Sequence, residues 1–499
     1  MNLSRFFHST GSMARSAACS VAAAAVLGTT TAAHAQPQQP ASGASATTLP
    51  SPSASIEALL TEVRHLRESV NQLQGELDAS RARTDALEAA LQAMQQQGAE
   101  QTELVNGQTS TLEQTKVESS SKYRVRLSGL ALFQIASTRG TVDNMDLPLL
   151  AMESAAGDSG GNLSGAVRQS SFGMDVFGPV LGDFATRANM RLDFFGGFPA
   201  ANDGLSAPGL RLRTIELALD RQNTSVRVGQ EAPFFSPLSP SSLASSAYPA
   251  LASAGNIWSW TPQAYVEQRF GARSGTTISV RGGVLDALTG ELPAGEYSRL
   301  PTAGERSRTP ATAFRVALER GPDDSRTSVG AGAFYSRQDW AFNRHVNAWA
   351  ATGDAQWAAR PNVHVSGEVY RGQAIGGLGG GAHSSVLFDG PPDDPTAGVH
   401  PLVSSGGWGQ LSVRHGATTE FNVAAGIDRS RPRTRATLLQ QPSDEAPSAQ
   451  RNAAALFNVI MRPRSNLLFS VEYRRLCTTR FDGRAWLADH LNVSTGIVF

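Results

Sequence analysis

Leu487-Ala-Asp-His-Leu-Asn-Val-Ser-Thr-Gly-Ile-Val-Phe499 closes the chain, and its polarity alternates with a period of two. Leu491, Val493 and Ile497 fall on the same face as the terminal Phe499, which is how a strand with one apolar face reads. Tyr123-Arg124-Val125-Arg126-Leu127 repeats the pattern at the other end of the region, with Tyr123, Val125 and Leu127 on one face and Arg124 and Arg126 on the other. Between these two stretches come short alternating segments separated by Gly, Pro, Asp and Asn clusters, so residues 122–499 are expected to be β structure throughout.

Strands are expected to begin near Tyr123, Val167, Phe184, Arg211, Thr224, Pro262, Thr276, Ala311, Arg326, Val346, Val363, Gly407, Thr418, Asn452, Leu467 and Asp489. That is about sixteen, the even number a closed bacterial barrel requires. A soluble sandwich looks the same locally, but the connections alternate in length. GPVLGD, RQN, ARSG, RGPDDS, ARPN, HGA and RPRSN are short; those after Ile135, Gln230, Asp286, Gly372 and Asp428 are the longest. Both ends of the barrel then lie at its short-turn, periplasmic end.

Upstream the chain changes character twice. Arg5 and Arg15 flank the apolar run SAACSVAAAAVLG, and Ala33-His34-Ala35 gives a small-x-small cleavage point, so residues 1–35 read as a secretory signal peptide. Cys19 lacks the lipoprotein context and leaves with that segment; with Cys477 the only other cysteine, no intramolecular disulfide is expected in the exported chain. Residues 36–54, rich in Gln, Pro, Ser and Ala, read as a flexible linker. Residues 55–97 carry heptads, with Ile56, Val63, Val70, Leu77, Thr84 and Leu91 at a and Leu59, Leu66, Leu73, Ser80, Leu87 and Met94 at d. Glu62 with Arg67, Glu76 with Arg81 and Arg83 with Glu88 match g to e in parallel chains, so an α-helical coiled coil in the periplasm is expected. A single amphipathic helix lying on the barrel is the alternative, and β-branched a positions with Leu at d favour two strands where a trimeric barrel imposes three. A polar linker, 98–121, follows.

Composition removes other classes. Lys+Arg and Asp+Glu are equal at 43 each, so no basic excess exists to hold nucleic acid. No stretch beyond the N-terminus reaches the roughly 18 apolar residues of a spanning helix. Lys116 and Lys122 are the only lysines, so arginine supplies the positive charge. The nine histidines are scattered, no nucleophile-elbow or zinc-helix pattern occurs, and neither catalysis nor a cofactor is expected. GGLGGG at 376–381 follows a strand with no helix after it, so it reads as a flexible outer loop; DGPPDDP at 389–395 lacks the spacing of a calcium loop.

The segment ending in Phe499 resembles the C-terminal strand by which bacterial outer-membrane barrels are recognised for assembly. With RVGQEAPFFSPLSPSSLA (227–244), SGEVYRGQAIGGLGGG (366–381), the signal peptide and the coiled coil, the chain resembles the DcaP-type porins, a branch of the trimeric porin superfamily. That resemblance covers nearly the whole chain. It implies an outer-membrane homotrimer, with the barrel-assembly machinery and outer-membrane lipid as partners; on the tether reading the coiled coil also grips the peptidoglycan wall.

With apolar residues on the lipid side, Arg124, Arg126, Arg187, Arg191, Asp193, Glu216, Arg227, Glu267, Arg269, Arg281, Arg315, Glu368, Glu472 and Arg474 point into the lumen. A row of arginines favours anionic solutes, and each is also able to serve only as a brace between strands. Residues 231–260, beginning Glu231, then Phe234, Phe235, Leu238, Leu243 and Tyr248, form a long loop rich in apolar residues, expected to fold into the lumen as a constriction. An extracellular subunit contact is the alternative. Trp258 and Trp260 are assigned to the aromatic girdle. The expected function is passive diffusion of small hydrophilic solutes; the alternatives are a barrel enzyme, a trimeric adhesin, and a cell-wall tether with a non-conducting barrel.

Overall fold

The computed structural model describes residues 123–198, 208–271, 275–291, 299–322, 325–432 and 449–499, together with six positions between 62 and 75. Residues 24–122 form a unit of their own. Within it Glu62, Arg67, Glu68, Asn71, Gln74 and Gly75 are helical; the rest of the expected coiled coil, both linkers and the signal peptide lie outside the described residues.

The second unit is a closed antiparallel barrel of sixteen strands. They are β1 Val125–Arg139, β2 in two pieces (Gly161–Ala166 and Ser171–Leu181), β3 Phe184–Asp193, β4 Arg211–Arg221, β5 Thr224–Glu231, β6 Thr261–Gly271, β7 Thr276–Leu285 and β8 Ala311–Arg320. The circuit continues with β9 Thr327–Asp339, β10 His345–Arg360, β11 Val363–Gln373, β12 Val399–His415, β13 Thr419–Pro432, β14 Ala449–Arg464, β15 Leu467–Arg480 and β16 Ala485–Val498. Each strand pairs with the next, and β1 pairs with β16 from Leu130 opposite Val498 to Arg139 opposite Asp489. Closure leaves no free strand edge, so the backbone hydrogen bonds are satisfied within the sheet.

The seam is finished by the last residue. Gly129 and Phe499 exchange backbone hydrogen bonds of 2.8 and 3.1 Å. The Phe499 ring lies over Gly129, in the space a β-carbon there would occupy. A bare glycine thus seats the terminal aromatic on the outer face.

Alternation sorts the wall. Val423, Phe457, Val471, Leu491 and Val493 are exposed on the outside, while Asn422, Asn458, Glu472, Asn492 and Ser494 between them are buried inside. Strand starts agree with the sequence reading within a residue or two over β3 to β11. β2, β12, β14 and β16 begin 3–8 residues earlier than expected, because their first residues do not alternate cleanly between apolar and polar, as in Ala485-Trp486-Leu487-Ala488 of β16.

Candidate functional site

The lumen is shaped by the connection from 232 to 260, which runs around the inner wall. Phe234 stacks on Tyr265 of β6, ring centroids 4.6 Å apart, and Phe235, fully buried, stacks on Phe334 of β9 at 5.5 Å. Ser236 Oγ and Leu238 N then donate to the two oxygens of Glu368 on β11, each at 2.8 Å. Ser241 N donates to Gln410 of β12 at 2.6 Å, Asn458 of β14 donates to Ser241 O at 3.0 Å, and Ser242 Oγ donates to Glu472 of β15. Further round, Gln134 of β1 donates to Leu243 O, and Arg213 and Arg211 of β4 donate to Ser246 O and Ala247 O.

Two local irregularities serve this ring. The break between the pieces of β2 turns Gln169 inward, where its oxygen accepts from Ser246 N at 2.9 Å and Ala247 N at 3.0 Å and its amide donates to Ala244 O at 3.0 Å. The register shift between β3 and β4 sets Leu192 opposite Leu212 and Arg191 opposite Thr214, so Arg213 is the extra residue of a bulge and its side chain reaches the loop. Gly332 and Gly426 are the matching notches, since a β-carbon there would meet Phe235 O and Ala254 O.

A second insertion fills the long-loop end. Gly376–Leu378 and Gly380–His383 are short 3-10 turns whose glycines are buried, so GGLGGG is a packed element inside the barrel and the expectation of a flexible outer loop is corrected. Its lack of side chains is what lets backbone approach backbone. Trp258 is buried against Tyr248, Trp260 and His383, with its indole N–H bonded to Ala252 O, so the girdle assignment of Trp258 and Trp260 is corrected too. Inward Phe334, Val346, Ala348, Ala350 and Tyr370 join these insertions in an apolar core. In that half the inner face is therefore packed against protein.

His383, half-buried beside Trp258, has Ser253 Oγ 3.0 Å from its Nε2, and burial pushes its pKa down to about 4. The unfolded imidazole takes up its proton near pH 6.5 while the seated one resists until about pH 4. Seating of the insertion is therefore expected to weaken as pH falls through that window, by on the order of 3 kcal/mol in total. Conductance recorded from pH 7 to pH 4 should change in wild type and change less in His383→Gln.

The opposite wall carries a ladder of charge. Arg191 pairs with Asp175 at 3.3 Å, Arg227 with Glu216 at 2.9 Å and Asp220 at 2.8 Å, and Glu267 with Arg269 at 2.9 Å and Arg281 at 3.3 Å. Side-chain exposures of 39% for Arg191 and 41% for Arg269 separate this open wall from two braces. Arg315 with Asp354 and Arg474 with Glu472 are no more than 3% exposed. Arg124 lies just before β1, outside the strand register, while Arg126 stands opposite Asp175, Arg187 opposite Ala218 and Arg281 opposite Arg315. The residues expected to face inward divide by chemistry: Asp193 is bound to Arg211 at 2.7 Å, Glu368 is bound to the loop, and Arg124 and Arg126 lie over the Phe177 ring. Glu231 ends β5 opposite Thr261, and Tyr248 stacks on Trp260.

The fold is similar to that of the outer membrane channel DcaP of Acinetobacter baumannii. The TM-score is 0.57 at 16% identity, covering 76% of this chain and 99% of that one. The anion-selective porin from Comamonas acidovorans aligns with a TM-score of 0.45 at 10% identity over 76% of this chain and 100% of that one. OmpF of Salmonella typhi aligns with 0.45 at 11% over 76% and 98%. No protein-family model and no curated protein matches the sequence.

Glutamine hooks such as Gln134 and Gln169, and glycine notches such as Gly332, escaped the sequence reading. The glycines in SGGWG (405–409) and AAG (424–426), set inside strands, were the available signal. Among the described residues no helix is long and apolar enough to cross a membrane, and no cluster of metal-ligating side chains occurs.

Proposed function

We propose that the chain is an outer-membrane porin, a passive diffusion channel for small hydrophilic solutes with a preference for anions. The observation that carries this reading is the arginine wall from β3 to β7, in which Arg191 and Arg269 are 39% and 41% exposed, in a barrel whose outer surface is apolar. Arginine stays charged at every physiological pH, and near a narrow, partly dry constriction each charge acts at an effective dielectric well below that of water. Arg124, Arg126 and Arg187 make no ion pair among the described residues; the first two lie over the Phe177 ring, and Arg126 stands opposite Asp175. The wall supports diffusion, and the loop 231–260 is the proposed constriction. The heptads of 55–97 support self-association, with a homotrimer as the proposed assembly, a periplasmic coiled coil, contact with peptidoglycan, and insertion through the barrel-assembly machinery by Phe499.

Reversal potential in a planar bilayer under a salt gradient tests the reading. Changing Arg124, Arg126 and Arg187 together to Gln is expected to lower the anion-to-cation permeability ratio about two-fold or more. Changing Arg191, Arg227 and Arg269 together strips partners from Asp175, Glu216 and Glu267 and should lower it further. An unaltered ratio in both sets rejects anion preference. A wild-type barrel that never conducts rejects the channel and leaves the tether, a reading whose support is the packing of two insertions inside the lumen.

A further inference from the structure

The outer surface of β11 to β14 carries charge that the lumen does not explain. Along β13 the outward positions read Phe421, Val423, Ala425, Ile427, Arg429 and Arg431, an apolar run ended by two arginines at the long-loop end. β11 does the same with Val365, Val369 and Arg371. The register aligns them: Arg371 lies opposite Ser405, Ser405 opposite Arg429, and Arg429 opposite Arg451. Arg371 and Arg429 are thus two strands apart at one level, about 10 Å. Arg429 faces Arg451 directly.

The nearest carboxylate in sequence, Asp428, points inward and accepts from Tyr370 at 2.6 Å. Arg371, Arg429 and Arg431 are exposed and have no carboxylate partner among the described residues. By contrast Arg475, outward on β15, is paired with Asp489 at 3.5 Å. Tyr335 and Trp349 mark the level, since Tyr335 lies opposite Trp349, Trp349 opposite Gln373, Gln373 opposite Val403 and Val403 opposite Arg431. Outward aromatic rings of this kind sit at the headgroup layer.

We infer that Arg371, Arg429 and Arg431 bind the phosphate groups of a lipid of the outer leaflet, whose acyl chains lie on Val369, Val423 and Ile427 below. Guanidinium binds phosphate through paired N–H donors, and the apolar run beneath gives the lipid an advantage over a free ion. The inference rests on the membrane location proposed above and is independent of conduction.

Native mass spectrometry of the full chain in detergent, titrated with diphosphoryl lipid A, tests it. Wild type should retain the lipid, and Arg371→Gln, Arg429→Gln and Arg431→Gln combined should weaken it about ten-fold or more, with Lys at the same positions keeping most of the binding. Arg475→Gln should leave affinity within about two-fold of wild type, because its charge is already matched. Equal binding by the Gln set, or equal binding of lipid A stripped of phosphate, overturns the inference. So does full displacement by millimolar inorganic phosphate, which marks a free-ion site. Heat-modifiable gel mobility checks that each variant closes, and the Lys set answers the question if the Gln set does not fold. The Gln set should conduct as wild type does; a silent wild type refutes the channel and leaves the lipid result standing.

Discussion

Deletion of Phe234–Tyr248 is expected to raise single-channel conductance several-fold and to leave a closed barrel. The deleted residues supply the contacts that span the lumen from Phe334 to Arg213, whereas the wall's hydrogen bonds run strand to strand and include none of them. Glu368, Glu472, Gln134 and Gln169 lose their loop partners, but water entering the emptied lumen solvates them, so the polar groups left behind cost little. Conductance in a planar bilayer and heat-modifiable mobility on a gel are the two readouts. An unchanged conductance with a closed barrel would mean that ions take a route the loop does not restrict.

Arg474→Met is expected to be the most damaging single substitution in the wall. Arg474 donates to Glu472 at 2.7 and 3.2 Å, to Pro148 O at 3.2 Å and to Ser245 Oγ, and it is 2% exposed. Its loss leaves the Glu472 charge buried with only the Ser242 and Asn458 donors. Breaking a buried pair from one side costs about 3–5 kcal/mol. Arg475→Met, one residue away and outside, removes a half-exposed pair worth about 1 kcal/mol or less. Urea midpoints of the two variants should differ accordingly, and adding Glu472→Gln to Arg474→Met should recover part of the loss. Equal midpoints reject the brace.

The wall was legible because its rule is local. Alternation needs only a residue and its neighbours two places away, so Tyr123 to Leu127 and Leu491 to Phe499 announce their faces unaided. Connection length is equally local: 140–160, 232–260, 286–310 and 374–398 separate successive barrel strands, and the fifth connection expected to be long, after Asp428, falls at 433–448, outside the described residues. What the loops do inside depends on partners far away in the chain. Ser242 meets Glu472, and Gln169 meets Ala244, only once the sheet has curled. GGLGGG reads as flexible by composition and is packed because Leu288, Trp258 and Ser404 happen to surround it. Likewise no local rule separates Arg315, sealed against Asp354, from Arg269, half in water.

The seating of Phe499 on Gly129 also bears on how such a chain reaches its native state. The pairing of β1 with β16 joins residues separated by nearly the entire barrel sequence, the highest contact order this sheet contains, and contacts of that kind form late and slowly. The docking of Phe499 on Gly129 completes the seam. Until then, β1 and β16 are two open sheet edges of long alternating strands, the surfaces on which other chains add and aggregates grow. On the membrane location proposed above, an aqueous transit leaves both edges open until they are joined, and Phe499→Ala should lengthen the time spent in that exposed state.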